Sequence, residues 1–157
     1  MWYNVIQGVG VVGKILGLDL GTRTVGVAYS VLTGTIALPD QTYRFNEKDR
    51  AKTLESALKY VKIVVEEKKG EKIVLGLPKN MDGSLGFQSE FVLEFKKLLE
   101  EELKLEVFLY DERLSSVEVH KAMSSANMNT RKQKSHVDTL SAVLILQSFL
   151  DSKKNKF

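Results

Sequence analysis

The apolar positions of this chain keep the texture of strands through its first third and then take up helical spacing. "KILGLDL" (14–20) is an almost unbroken apolar run, "TVGVAYSVL" (24–32) repeats its β-branched character, and only "GTR" separates them, which is hairpin spacing. A glycine-containing turn leads into "GTIALPDQTYRF" (34–45), where Pro39 calls for a bulged or edge strand. Strands linked this closely predict an antiparallel meander. From Asn46 the period becomes helical, with Leu54, Leu58, Val61 and Val65 set amid Lys and Glu and with Gly70 as a natural stop. "EKIVLGLP" (71–78) is then a strand ended by Pro78, "GFQSEFVLEFKKLLEEEL" (86–103) a helix, "LEVFLYDE" (105–112) a strand and "LSSVEVHKAM" (114–123) a helix. After the polar stretch "SSANMNTRKQK", the strongly apolar "SHVDTLSAVLILQSFLD" (135–151) closes the pattern as a helix. Strands joined through crossover helices pair in parallel. The expectation is an α/β fold of order βββαβαβαα, a five-stranded mixed sheet with helices on both faces. Residues 1–13 read as an N-terminal extension, 14–151 as the domain, and 152–157, with "KKNKF", as a basic tail with the character of a disordered end.

One charge breaks the first apolar run. An ionised carboxylate in apolar surroundings costs several kcal/mol unless it is paired, hydrogen-bonded or bound to a cation, and nothing local to Asp19 supplies a partner. In open sheets with crossover helices, sites form at the carboxyl ends of strands. Asp19 lies late in the first strand, and Asp111 and Glu112 lie at the end of the fifth. Asp138 falls in the first turn of the last predicted helix, three residues after Ser135. A first-turn Asp is ordinarily a cap or a dipole partner, and Asp111 with Arg113 is ordinarily a surface ion pair. Asp19 admits neither explanation. Acids without cysteine, and with histidine at only 2 positions, suggest oxygen ligands and therefore Mg2+ or Mn2+ rather than zinc. Such clusters suit phosphoryl chemistry.

Composition bounds the rest. A chain of 157 residues with 43% apolar content fits one domain with a sizeable core. The absence of cysteine excludes disulfides and thiolate metal sites. No basic leader precedes an apolar segment, and Lys14 and Asp19 cut the longest apolar stretch short of the roughly 20 residues a membrane span needs. A soluble, cytoplasmic protein with no membrane partner is expected, as monomer or homodimer. A net charge of +3 permits a polyanionic partner without demanding one. The basic run "NTRKQKSH" puts Arg131, Lys132 and Lys134 just before Asp138, either as a solvated loop or as phosphate contacts beside the site. Arg23 and Arg113, near Asp19 and Glu112, either reach phosphate or neutralise the acids. Backbone amides of Gly21 and Thr22 either approach a phosphate or simply close a turn, and Gly76, Pro78 and Asn80 read as loop shaping.

The segments "GLDLGTRTVGVAYS", "IVLGLPKNMDGSLG", "YDERLSSVE" and "KSHVDTLSAVLILQSFL" together resemble the YqgF family, Holliday-junction resolvases also described as pre-ribosomal-RNA nucleases. The resemblance spans residues 14–151 and implies a ribonuclease H-like fold, a metal-dependent nuclease of structured nucleic acid (precursor RNA or junction DNA), and Asp19, Glu112 and Asp138 on the acidic positions. Two divalent ions about 4 Å apart would activate a water and stabilise the leaving oxygen, with Asp19 bridging them and Glu112 and Asp138 completing the shells. Asp111 and Asp82 are second choices for the acids. Val31 stands where family members often carry an acid, and "TIALPDQT" follows the family's proline segment only loosely. "GLDLGTRTVGVAYS" also looks like the phosphate loop of actin-like ATPases and sugar kinases, but those need two such lobes and this chain has one. A non-catalytic nucleic-acid or ribosome-assembly binding module of the same fold is the alternative reading.

Overall fold

The computed structural model describes residues 13–114 and 130–154, with side chains described for 13–113 and 139–153. The expected N-terminal extension, apart from Gly13, lies outside the described residues, as do most of the predicted helix at 114–123 and the last three residues of the tail. Strands β1 (Lys14–Leu20), β2 (Thr24–Ser30) and β3 (Ala37–Arg44) form the expected meander. Helix α1 (Arg50–Lys68), strand β4 (Gly70–Leu77), helix α2 (Phe87–Leu103) and strand β5 (Glu106–Asp111) follow, then a single 3-10 turn (Glu112–Leu114) and helix α3 (Thr130–Lys154). The sheet order is β3-β2-β1-β4-β5. β1 pairs antiparallel with β2 and parallel with β4, so the strand carrying Asp19 is central.

Period-2 alternation sorts each strand between two cores. Leu16, Leu18 and Leu20 of β1 pack with Leu54, Ala57, Val61 and Val64 of α1 and with Phe91, Val92, Phe95 and Leu99 of α2. Ile15 belongs to the opposite core, with Ala142, Ile145, Leu146, Phe149 and Leu150 of α3. Helices therefore cover both faces, as expected. Leu58 and Val65, predicted for the stripe of α1, flank it half-buried, because Ala57 and Val64 sit closer to the sheet.

Several local expectations change. Helix α1 ends on Lys69 in the left-handed conformation (φ 56°), not on Gly70, which opens β4. Asp49 caps the helix start, its carboxylate accepting the Ala51 N–H at 2.8 Å. Pro39 does lie in an edge strand, and the register of β3 slips beside it: Val27 faces Gln41 but Ala28 faces Pro39, so Asp40 is the bulged residue. Helix α3 begins at Thr130 rather than Ser135, which makes the basic run helical and moves Asp138 from a first turn into the third. The capping role natural to a first-turn Asp is thereby removed. The same helix continues through Ser152–Lys154, taking the start of the expected tail.

Helix α3 reaches the sheet because β1 is bare beneath it. A Cβ at Gly17 would lie 2.7 Å from the Leu146 Cβ and 2.9 Å from the Ala142 carbonyl oxygen. Neither atom is the loose end of a side chain, so the helix as a whole would have to lift. Gly17→Ala is expected to destabilise the fold by about 1–3 kcal/mol, read as a lower urea midpoint at unchanged m-value.

Candidate active site

Alternation along β1 puts Asp19 on the α3 side, with Ile15 and Gly17. Its antiparallel partner is Gly26 of β2. The β1–β4 register, with Leu18 beside Leu75, continues to set Asp19 beside Gly76, and Gly76 pairs with Tyr110 of β5. Glycine thus flanks Asp19 on both sides, and the sheet is recessed around its carboxyl group. Glu112, the residue immediately after β5, fills the recess: a Cβ on Gly76 would lie 2.4 Å from Glu112 Oε1 and 2.6 Å from Ile145 Cδ1. Gly76 is therefore part of the site and not the loop shaper that its neighbours suggested.

The two carboxyl groups meet. Burial pushes the Asp19 carboxyl well above its ordinary range, and the hydrogen bond that its protonated form donates to Glu112, together with the Glu112 charge, pushes the same way. Glu112 Oε1 is closed off from solvent, although both residues keep part of their surface exposed and the pair is reachable from outside. Two acids forced together in such surroundings need a shared proton or a cation. Hard carboxylate oxygens, with no sulfur or nitrogen donor beside them among the described residues, fit Mg2+ or Mn2+. Among the described residues no cluster of three possible ligands occurs. The third expected acid, Asp138, has its backbone in α3 but its side chain outside the described residues. Its position is one turn before Ala142 and two before Ile145, both of which pack on the sheet. Beside it, Thr139 Oγ1 hydrogen-bonds Thr42 Oγ1 of β3 at 2.6 Å, and Thr42 pairs with Gly26 in the row that contains Asp19.

The alternative acids go elsewhere. Asp111 is held by Arg113, whose Nη2 donates to Oδ2 at 2.7 Å and whose Nε lies 3.1 and 3.0 Å from the two oxygens. The guanidinium keeps Asp111 below the usual carboxylate range, and the carboxylate raises Arg113. Arg113 is thus committed to a neighbouring acid, and its Nη1 donates to the Met81 carbonyl at 3.4 Å. Asp82 shapes its own turn, accepting the Ser84 N–H at 2.9 Å and the Ser84 hydroxyl at 2.6 Å. The Asn80 and Ser84 backbones close that loop, and Pro78 O accepts from the Ser89 hydroxyl, so Pro78 and Asn80 do shape a loop. Gly21 spends its amide on the Thr24 carbonyl at 2.8 Å, which removes it from phosphate binding. Arg23 is exposed at that hairpin turn. Arg131, Lys132 and Lys134 occupy the opening turns of α3, with side chains outside the described residues.

What sequence reasoning missed is a cleft of about 320 Å3 at the same end of the sheet, lined by Arg23, Lys48, Arg50, Phe87 and Phe91 among others. It opens toward the α1 and α2 side, since Phe91 belongs to that core. The only signal for it in the sequence is Phe87, an aromatic residue placed ahead of the apolar stripe of α2.

The raised Asp19 carboxyl fixes a pH dependence. In the unfolded chain Asp19 ionises at its ordinary value of about 3.9, whereas the metal-free fold retains the proton to higher pH. The folded state then binds more protons than the unfolded one across that window, and stability falls as pH rises through it. Urea midpoints in EDTA are expected to decline with rising pH for the wild type, and Asp19→Asn is expected to remove that decline. An ion-paired Asp19 would give the opposite slope.

The model of a family described as RuvX, Holliday junction resolvase, matches residues 13–152. A Clostridium tetani (strain Massachusetts / E88) protein that carries the provisional name of pre-16S rRNA nuclease is 44% identical over 143 residues, 91% of this chain and 99% of that protein. A Geobacillus sp. (strain WCH70) protein of the same provisional name is 41% identical over 141 residues, 90% and 99% of the respective chains. The structure of T. thermophilus RuvC in complex with a Holliday junction substrate superposes with a TM-score of 0.58 at 14% identity, covering 91% of this chain and 96% of that one. That likeness establishes a ribonuclease H-like fold.

Proposed function

Because the chain belongs to the RuvX family of Holliday junction resolvases, we propose that it is a divalent-metal-dependent nuclease that hydrolyses phosphodiester bonds in structured nucleic acid. The observation that carries this reading is the meeting of Asp19 and Glu112 in a recess bounded by Gly26 and Gly76. Asp19, Glu112 and Asp138 would hold Mg2+ or Mn2+, which when bound supplies Lewis acidity toward the phosphodiester and an activated water. The chain's own residues do the rest. The glycines keep the recess open for both carboxyl groups, and Ile145 lines it beside Glu112 Oε1, the atom closed off from solvent. The Thr42–Thr139 hydrogen bond pins α3 to β3 beside Asp138. Arg131, Lys132 and Lys134 precede Asp138 on one helix and would attract phosphates toward the acids.

Precursor ribosomal RNA is the preferred substrate, supported by the names of relatives at 44% and 41% identity. Junction DNA is the second reading, supported by the description of the family. Purified protein should cleave one of the two with Mg2+ and neither in EDTA, and Asp19→Asn and Glu112→Gln should each lose cleavage by orders of magnitude. Thermal melts give a readout that does not need activity. Wild type should gain roughly 2.7 kcal/mol at a hundredfold excess of Mg2+ over Kd, and Asp19→Asn much less. Metal-independent binding of both substrates without cleavage would leave a binding module of the same fold.

The basic turns of α3 have a separate test. Replacing Arg131, Lys132 and Lys134 with Ala should weaken binding to duplex nucleic acid and lower the salt slope of log K by about 0.9 per lost phosphate contact, measured by anisotropy across a salt series. An unchanged slope would make these side chains solvated surface.

A further inference from the structure

The cleft beyond the carboxylates has a construction that the core does not require. Phe87, at the first position of α2, is 72% exposed, whereas Phe91 one turn later is 4% exposed and belongs to the core. The Arg50 guanidinium stands 5.2 Å from the Phe87 ring centroid and 5.4 Å from that of Phe91. Glu94 fixes this arginine, with Oε2 accepting from Nη2 at 2.8 Å and from Nε at 3.0 Å. The result is a braced stack of ring and guanidinium with one ring largely open to solvent. Arg23 and Lys48, both exposed, line the same cleft and supply positive charge not engaged by Glu94. Glu47, the acid among the lining residues, accepts a hydrogen bond from the Ser56 hydroxyl at 3.1 Å. At about 320 Å3 the cleft is at the small end of ligand pockets, which run from roughly 300 to 1,000 Å3.

Its place relative to the carboxylates is set by the chain. Arg23 follows Asp19 by four residues, a span of at most about 14 Å. Gln88 Nε2 donates to the Leu20 carbonyl at 3.3 Å, which ties the start of α2 to the residue after Asp19. The cleft and the carboxylates lie at the same end of the sheet on opposite faces, so a strand would pass from one to the other around the carboxyl end of β1.

We propose that this cleft binds one unpaired nucleotide of the substrate, the base stacked on the open ring of Phe87 and its phosphate held by Arg23 and Lys48. The inference rests on the nuclease reading and names the feature of the substrate that the site selects. An aromatic face recognises a base only where that base is unstacked, because within a duplex both faces are covered by neighbouring pairs. Phosphate contacts to a duplex would need Arg23 and Lys48 but not the ring. An apolar partner would need the ring but would meet a cationic rim.

The test uses the full chain in EDTA, with a fluorescein-labelled single-stranded RNA and a duplex RNA of the same length, binding being read by anisotropy. Phe87→Ala should weaken single-strand binding about tenfold and leave duplex binding unchanged. Phe87→Trp should restore it, since a larger ring still stacks. Arg23→Ala should lower the salt slope on the single strand by about 0.7. Equal losses on both RNAs, no loss with Phe87→Ala, failure of Phe87→Trp to restore binding, or no binding of single strands by the wild type would each overturn the proposal. Since no step needs cleavage, absent metal-dependent hydrolysis would remove the nuclease reading without touching this result, and active cleavage with an indifferent Phe87 would do the reverse.

Discussion

Two acids compressed into one recess are the constraint around which this fold is arranged. A sheet centre is the costliest place for a carboxylate, and here Asp19 meets a second one from Glu112. The arrangement exists only because the central strands give up side chains where the acids need room. Gly26 and Gly76 flank Asp19, and Gly17 lets α3 close over the same face two residues earlier. These omissions weaken strands intrinsically, since glycine surrenders more backbone entropy than any other residue. Their placement on one face of three adjacent strands is the signature of a site built at the expense of the scaffold.

Helix α3 is the other half of that bargain. Two kinds of contact hold it. Apolar residues from Ala142 to Leu150 bury against the sheet, and polar side chains stitch it to the edge strand. Gln147 accepts the Ala37 N–H at 2.9 Å and donates to the Thr35 carbonyl at 3.1 Å, standing in for a neighbouring strand at the start of β3. With the Thr42–Thr139 bond, these contacts fix both the lean and the rotation of a helix whose earlier turns carry Asp138 and the basic run. Apolar packing alone tolerates sliding, whereas hydrogen bonds at separated points do not.

Much of this was legible beforehand, for identifiable reasons. The meander, the crossovers and the isolation of Asp19 follow from period and burial cost, which depend on residues near in sequence. The choice between Asp111 and Glu112 did not, because adjacent residues at a strand end point to opposite faces and only the register of β4 against β5 decides which one looks toward α3. The role of Gly76 was hidden likewise, since its meaning lies in a side chain 36 positions away. The start of α3 is hard to see in sequence because "NTRKQK" is polar, and a polar stretch fits a loop as readily as the opening turns of a helix. Gly70 is the expected stop because a left-handed residue is usually glycine, but Lys69 adopts that conformation here at modest cost.

The slip of register at Pro39 also bears on whether a further strand can add to this margin of the sheet. β3 is one margin of the sheet, and a straight margin exposes a ladder of unpaired amides and carbonyls onto which another chain can knit. Proline removes one donor from that ladder, Asp40 adds a kink with a charge, and Gln147 already occupies its first rungs. Strand addition on that side is blocked by construction. Among the described strands the opposite margin is β5, whose last residue leads straight into Glu112.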